Sequence, residues 1–369
     1  MRSGSFLPLN DAERPVRMRE VIGLRPARGS TPKQPLPFYV EPLHEEALFS
    51  WLMRLVTRMG VSMHALASCS FGIEDRYGHT RWWCRPHPWL LMRISERTDV
   101  GIARLRPMTF EAFQPVYRDD EASGRFAGRR YDVRAPNSRS YSFAICGSCL
   151  KDDARPYLRL SSLIGWMAVC PHHRTVLIER CDNCGSSLRV AAFATSARFA
   201  PAICIRCNAS LLKQDQGAAH PSAMVMQGTL LQGKTHGIVH IEGLGRFTWE
   251  EMVALIDVLM GTLWTDLILA DRQRIFHVYA DDAGDLSGKH DALYDSRHGS
   301  LRFIAWLLQG WPDSPGAKIG RRLLVQWLRA DRNRLCRHLR PPAADPWTIG
   351  ATNFSSTIRQ RLELLGGVH

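Results

Sequence analysis

Leu48, Trp51, Leu52 and Leu55 recur at helical spacing in PLHEEALFSWLMRLVTRMGVS, which predicts an amphipathic helix ending at Gly60. Ser62 is placed to cap a second helix that begins MHALAS. Two short helices about a tight glycine turn resemble a helix-turn-helix, although two plain core helices would satisfy the same pattern. The stretch ISERTDVGIARLRPMTF reads as another helix, with Ser95 near its start and its end before Pro107. Residues 213–245 are glycine-rich and read as loop and linker. Beyond them, FTWEEMVALIDVLMGTLWTDLILA opens with Thr248 as N-cap and Glu251 three residues later, a capping box with an apolar stripe behind it. LRFIAWLLQGWP stops on glycine and proline. The last helical stretch, residues 317–340, sets Leu324, Trp327, Leu328 and Leu335 on one face, with Arg321, Arg322, Arg329, Arg332, Arg334, Arg337 and Arg340 around the rest.

The expected class is therefore mainly α and multidomain. The layout is a basic, proline-rich arm (1–40), an N-terminal helical domain (41–140), a cysteine-rich region (141–212), a linker (213–245) and a C-terminal helical domain (246–369). The arm carries Arg14, Arg17, Arg19, Arg25 and Arg28 with little periodicity and reads as extended chain.

Composition narrows the partners. The 369 residues carry a formal charge of +13, from 48 Lys and Arg against 35 Asp and Glu, which favours contact with an anionic polymer. The arginines of 317–340 are the densest group and the first candidates for phosphate contact; a solvated helical face is the plainer reading. Arg81, Trp82, Trp83 and Arg85 form a basic and aromatic cluster that could stack on bases or pack on the helices. FLPL is followed at once by NDAERP, unlike a signal peptide, and no stretch reaches the length of a membrane helix. A cytoplasmic protein with no membrane partner is expected.

In a reducing compartment ten cysteines call for an explanation other than disulfides. Most of them fall, with one histidine, in four spaced pairs: CGSC (Cys146, Cys149), CPHH (Cys170, His173), CDNC (Cys181, Cys184) and CIRC (Cys204, Cys207). A two-residue gap lets one tight turn offer both side chains to one metal ion. Two consecutive four-ligand sites fit best: Cys146, Cys149, Cys170 and His173, then Cys181, Cys184, Cys204 and Cys207. An interleaved arrangement joining the first pair to the third is the alternative. With every ligand position filled by protein and sulfur in the majority, the expected metal is structural zinc, two ions, with no open position for catalysis. An iron–sulfur cluster could use Cys181 to Cys207, but the spacing is more usual for a zinc ribbon. His172 reads as exposed or as a hydrogen-bonding neighbour of the site, and Cys69, Cys84 and Cys336 as small buried side chains.

No phosphate-binding P-loop, dinucleotide fingerprint, nucleophile elbow or HExxH occurs, and the acidic doublets (Asp119 with Asp120, Asp152 with Asp153, Asp281 with Asp282) read as loop surface. The chain is not expected to be an enzyme.

The chain resembles the TniQ family, accessory proteins of bacterial transposons, on two features. The first is the lead PFYVEPLHEEALFSWLMRL, in which Glu46, Ser50, Trp51 and Arg54 match the family's E-x-x-x-S-W-x-x-R. The second is the ordered run CxxC, a leucine- and tryptophan-bearing spacer, CPxH and a short link into CxxCG, from Cys146 to Gly185. The resemblance covers residues 41–210. It implies a non-catalytic target-selection factor that binds DNA or a targeting complex. It also implies an AAA-type ATPase partner, a DDE transposase reached indirectly and, in RNA-guided systems, a CRISPR effector complex with its guide RNA. In a bacterial cell such a protein is nucleoid-associated. Homodimers occur among relatives, and nothing in this chain argues for or against one. The competing expectation is a stand-alone, zinc-containing transcription regulator that reads DNA through the helix-turn-helix.

Overall fold

The computed structural model describes residues 35–73, 83, 86, 88–110, 143–189, 199–249, 251–252, 255–256, 259, 269–283, 296–337 and 364. The arm's Arg14, Arg17, Arg19, Arg25 and Arg28, together with Arg81, Trp82, Cys84, Arg85 and Arg340, lie outside them, as does the whole span 111–142 with Asp119 and Asp120.

Helix α1, Leu48–Met59, buries Leu48, Phe49, Trp51, Leu52, Leu55 and Val56, and stops at Gly60. Gly60 takes a left-handed φ of 67° and its N–H donates to the carbonyls of Thr57 and Val56. That conformation is cheap for glycine alone, so the predicted stop is a backbone requirement. Ser62 caps α2, Met63–Ala65, its hydroxyl accepting the Ala65 N–H at 3.1 Å; the helix then widens into a π turn over Leu66–Ser70. Helix α3 spans Pro88–Thr98 and α4 Ile102–Leu105. The expectation that Ser95 starts a helix is corrected: it lies inside α3, and the chain breaks at Asp99, which has a left-handed φ of 58°. Trp83, from the basic and aromatic cluster, is a core residue, its ring 4.8 Å from Phe49.

The cysteine-rich region contains little regular structure: helix α5 (Gly147–Asp152) and isolated bridges pairing Ile145 with Ile178, Val169 with Val176, Arg180 with Ser187 and Ile203 with Ser210. The segment expected as a loop and linker is different in kind. It holds a 16-residue helix, α6 (Pro221–His236), and strand β1 (Ile238–Ile241), which pairs antiparallel with β2 (Gly245–Thr248). One of its glycines serves packing: a Cβ on Gly233 would overlap Val239 and Trp249, so glycine lets the hairpin lie against α6. The capping box closes both ways, Thr248 N–H to Glu251 Oε2 at 2.8 Å and Glu251 N–H to Thr248 Oγ1 at 3.2 Å. Helices α7 (Leu269–Ala283), α8 (Arg297–Leu308) and α9 (Pro315–Arg337) follow; α8 packs on both α6 and α9.

Helices dominate, and the one sheet among the described residues is the hairpin. Among the described residues the larger apolar core runs from α1 through the cysteine-rich region into α6, α8 and α9. None of the described helices is long and apolar enough to cross a membrane.

Candidate metal centres

The four spaced pairs converge into two groups of four, in sequential and not interleaved order. Cys146, Cys149, Cys170 and His173 form the first, and Cys181, Cys184, Cys204 and Cys207 the second. Within each group the potential ligand atoms all lie within 4.8 Å of one another.

Their spacing tests whether a metal fits. Tetrahedral zinc at about 2.3 Å from sulfur and about 2.0–2.1 Å from nitrogen sets neighbouring ligand atoms roughly 3.5–3.8 Å apart. In the first group Cys149 Sγ is 3.5 Å from Cys170 Sγ, and His173 Nδ1 stands 3.5, 3.4 and 3.6 Å from Cys146, Cys149 and Cys170. In the second, Cys181 and Cys207 are 3.6 Å apart and Cys184 and Cys204 3.7 Å. Both donor sets therefore suit a tetrahedral ion such as zinc, and each fills all four positions from protein.

Local backbone chemistry explains why these sequences make such turns. In three of the pairs the residue just after the second ligand is left-handed: Arg174 (φ 54°), Gly185 (φ 65°) and Asn208 (φ 58°). There the N–H of each donates to the carbonyl of the first ligand, at 2.9 Å to Cys170, 2.7 Å to Cys181 and 2.8 Å to Cys204. Glycine and asparagine are the usual residues in that conformation; arginine carries a cost of roughly 1–2 kcal/mol. The first pair is built otherwise: Cys146 is the N-cap of α5, its sulfur accepting the Cys149 N–H at 3.5 Å, and the helix continues the turn.

Supporting groups orient the ligands. His173 Nε2 meets Asp152 Oδ2 at 3.1 Å, which leaves Nδ1 turned toward the sulfurs. Gln216 accepts the Gly147 N–H at 2.7 Å and donates to the Val176 carbonyl at 2.9 Å, propping α5 against the CPHH turn. Crowding shows in the ionisation of the thiols: hydrogen bonding, foremost with Cys149, holds Cys146 far below the ordinary thiol value, while Cys149 is pushed far above it by Cys146. A bound dication would allow all of them to be thiolates together. His172 is exposed. Cys69 is also exposed, contrary to the expectation of a buried side chain, because it falls on the outer side of the π turn after α2.

The motif residues of the N-terminal lead form one buried polar clamp. Glu46 is fully buried, and its carboxylate accepts the Ser50 hydroxyl (2.9 Å), Arg54 Nε (2.9 Å), Arg54 Nη2 (2.8 Å) and the Leu43 N–H (3.0 Å). Ser50 Oγ in turn accepts the Leu158 N–H at 2.9 Å, and Trp51 Nε1 donates to the Val40 carbonyl at 2.7 Å. These four residues thus bind the lead, α1 and the spacer between the first two metal pairs to one another.

Sequence reasoning missed a second tie. Arg297, buried at the start of α8, donates through Nη1 to the carbonyls of Ser162 (3.1 Å) and Ile164 (2.9 Å). Its backbone N–H donates to Glu179 Oε1 at 2.7 Å. Burial pushes the Glu179 carboxyl up, and the Arg297 charge opposes that shift. Gln227 of α6, also buried, caps the Ala168 and Val169 amides at 2.8 and 2.9 Å. The short link between the two metal groups is held on several sides, with Ile178 paired to Ile145 and Val176 bonded to Gly217.

The remaining candidate residues are placed apart. Arg321 and Arg322 are exposed near the start of α9, Arg321 lying 5.9 Å over the Trp311 ring. Arg329, Arg332, Arg334 and Arg337 continue the same helix, their side chains outside the described ones. The helix-turn-helix pair exposes His64 and Cys69 on its second member; MHALASCS contains none of the arginine, lysine, asparagine or glutamine side chains that read base edges bidentately.

Residues 37–177 match the family model TniQ. The match takes in the buried clamp and the whole first metal group, and ends before the second group and the C-terminal helices. No curated protein matches the chain.

Proposed function

We propose that the chain, whose residues 37–177 match the TniQ family model, is a non-catalytic target-selection adaptor of DNA transposition. In this reading it holds two structural zinc ions, engages DNA or a targeting complex, and recruits an AAA-type ATPase and, through it, a DDE transposase. A CRISPR effector complex with guide RNA is the partner where targeting is RNA-guided. The observation that carries the reading is the family match over the clamp and the first metal group.

Three features support it. Both metal groups offer four protein ligands, which suits a folding role and leaves no coordination position for a water or substrate. Glu46, Ser50 and Arg54 on one side, and Arg297 with Gln227 on the other, lock the zinc region between the helical lead and the C-terminal helices. A body tied in this way can present separate surfaces at fixed spacing, as a bridge between partners requires. Helix α9 carries the exposed Arg321 and Arg322 and four more arginines, the charge density that phosphate contact needs.

The test is reconstitution: the zinc-loaded chain with the transposase and ATPase encoded by its transposon and a donor–target DNA pair. Insertions concentrated at one target when the chain is present, and scattered or lost when it is omitted, support the proposal. Insertion unchanged by omission would overturn it.

A further inference from the structure

The two metal groups differ in how open their sulfurs are. In the first, Cys146, Cys149 and Cys170 are all buried, and the fourth ligand is an imidazole. In the second all four ligands are sulfurs, and two of them, Cys184 and Cys207, are half-buried. Each open sulfur stands beside a buried one: Cys184 is 3.7 Å from Cys204, and Cys207 is 3.6 Å from Cys181. An accessible nucleophilic sulfur poised next to a resolving sulfur is the arrangement that converts to a disulfide under peroxide.

We propose that the second group is a peroxide-responsive switch, a reading that rests on its assignment as a zinc site. The thiolate of Cys184 or Cys207 attacks one oxygen of hydrogen peroxide; the O–O bond breaks, the sulfur becomes a sulfenic acid, and the other oxygen leaves with a proton as water. The buried partner, Cys204 or Cys181, then attacks the sulfenic sulfur. The S–O bond breaks, the second oxygen takes a second proton and leaves as water, and the S–S bond forms. Two thiolates have lost two electrons and the peroxide has gained them. With two of the four sulfurs joined in a disulfide, the two that remain would not hold the metal, and the turn relaxes.

The release has a mechanical target. Phe199, five residues before Cys204, donates its N–H to Thr57 Oγ1 at 3.0 Å and sets its ring edge-on to Phe49 at 6.4 Å. Both partners belong to α1. Loss of the second group frees that anchor while the first group, the clamp and the Arg297 tie remain, so oxidation changes the surroundings of Thr57 and Phe49 on α1 without unfolding the body.

The experiment titrates the zinc-loaded full chain with hydrogen peroxide. It follows released metal with a chromogenic chelator, maps disulfides by peptide mass, and reads amide exchange at Phe199 and across the first group. The expected result is loss of one of two ions about tenfold faster than the other, with a Cys184–Cys204 or Cys181–Cys207 linkage. Phe199 loses protection, residues 146–170 keep theirs, and reductant with added zinc restores the start. Release of both ions at one rate, or first oxidation within Cys146, Cys149 and Cys170, would overturn it. A starting content below two ions per chain would overturn the metal assignment beneath the switch, and the switch with it. In the doubly substituted chain, Cys184→His with Cys207→His, four ligands remain without the open thiols; the ion should then survive peroxide, and release at the parent rate would overturn the proposal.

Discussion

Arg54 is the side chain whose removal most directly tests what the N-terminal motif does. It places two charge-assisted hydrogen bonds, at 2.9 and 2.8 Å, on a carboxylate that is 0% exposed, and a third on the Glu41 carbonyl. Truncation by Arg54→Ala leaves Glu46 as a buried charge with two neutral donors, Ser50 and Leu43, in place of a cation. Breaking a buried pair from one side costs about 3–5 kcal/mol. Glu46→Gln keeps the shape and part of the hydrogen bonding, and should cost about 1–3 kcal/mol. Ser50→Ala leaves the buried Leu158 amide without its acceptor and falls in that same range. Denaturant unfolding of the zinc-loaded chain, followed by tryptophan fluorescence, ranks the three, and a double-mutant cycle between Arg54→Ala and Ser50→Ala should show a non-additive term, since both act on one carboxylate. A folded Arg54→Ala protein within about 1 kcal/mol of the parent would refute the reasoning and send the motif to the surface as a partner contact.

Other expectations follow from the remaining geometry. Cys170→Ser should lose the first ion and the soluble fold of its surroundings, whereas Cys204→Ser should lose only the second ion; metal analysis by mass spectrometry separates them, and two ions per chain in either variant contradicts the ligand sets. Arg174→Gly relieves a left-handed arginine and should leave thermal stability equal or raised by up to about 1 kcal/mol, while Arg174→Val should lower it by about 1–2 kcal/mol; a melting-temperature series decides the sign. His298 accepts the His220 N–H at 3.0 Å, and burial, then the Arg302 charge, lower its pKa to about 4. The folded state therefore binds fewer protons than the unfolded one between about pH 6.5 and 4, so this contribution is complete above that window and is lost as pH falls through it. A His298→Gln chain should show a shallower loss of stability from pH 7 to 5, and an unchanged slope would refute the assignment. Arg332→Ala with Arg334→Ala should weaken DNA binding and flatten its dependence on log salt concentration by up to about 2; an unchanged slope in a filter-binding series removes α9 from the interface.

Local chemistry was legible in the chain and long-range chemistry was not. The Gly60 stop, the Ser62 cap and the Thr248–Glu251 box depend on neighbours within four residues, so type and spacing suffice to read them. The metal groups were equally open to reading, because a two-residue gap repeated four times has few other uses. Residues 213–245 mislead because glycine-rich sequence ordinarily marks a loop. Gly233 instead clears room for Val239 and Trp249, a requirement visible only once α6 and the hairpin are in contact. Ser95 misled similarly, since a serine inside a helix looks like a cap until the flanking turns are placed. Arg297, Glu179, Gln216 and Gln227 carry no local signal at all: each is an ordinary polar residue in sequence, and its partners lie some 40 to 135 residues away.

The proposed bridge between targeting and the transposition machinery, a zinc-ordered body, is tested by retention of the transposon's AAA-type ATPase on the immobilised, zinc-loaded chain, with and without target DNA. The expected result is specific retention that is lost on Arg54→Ala and Cys170→Ser but kept on Arg332→Ala with Arg334→Ala. No retention by a chain holding two zinc ions, together with tight binding of that chain alone to one DNA sequence, would contradict it.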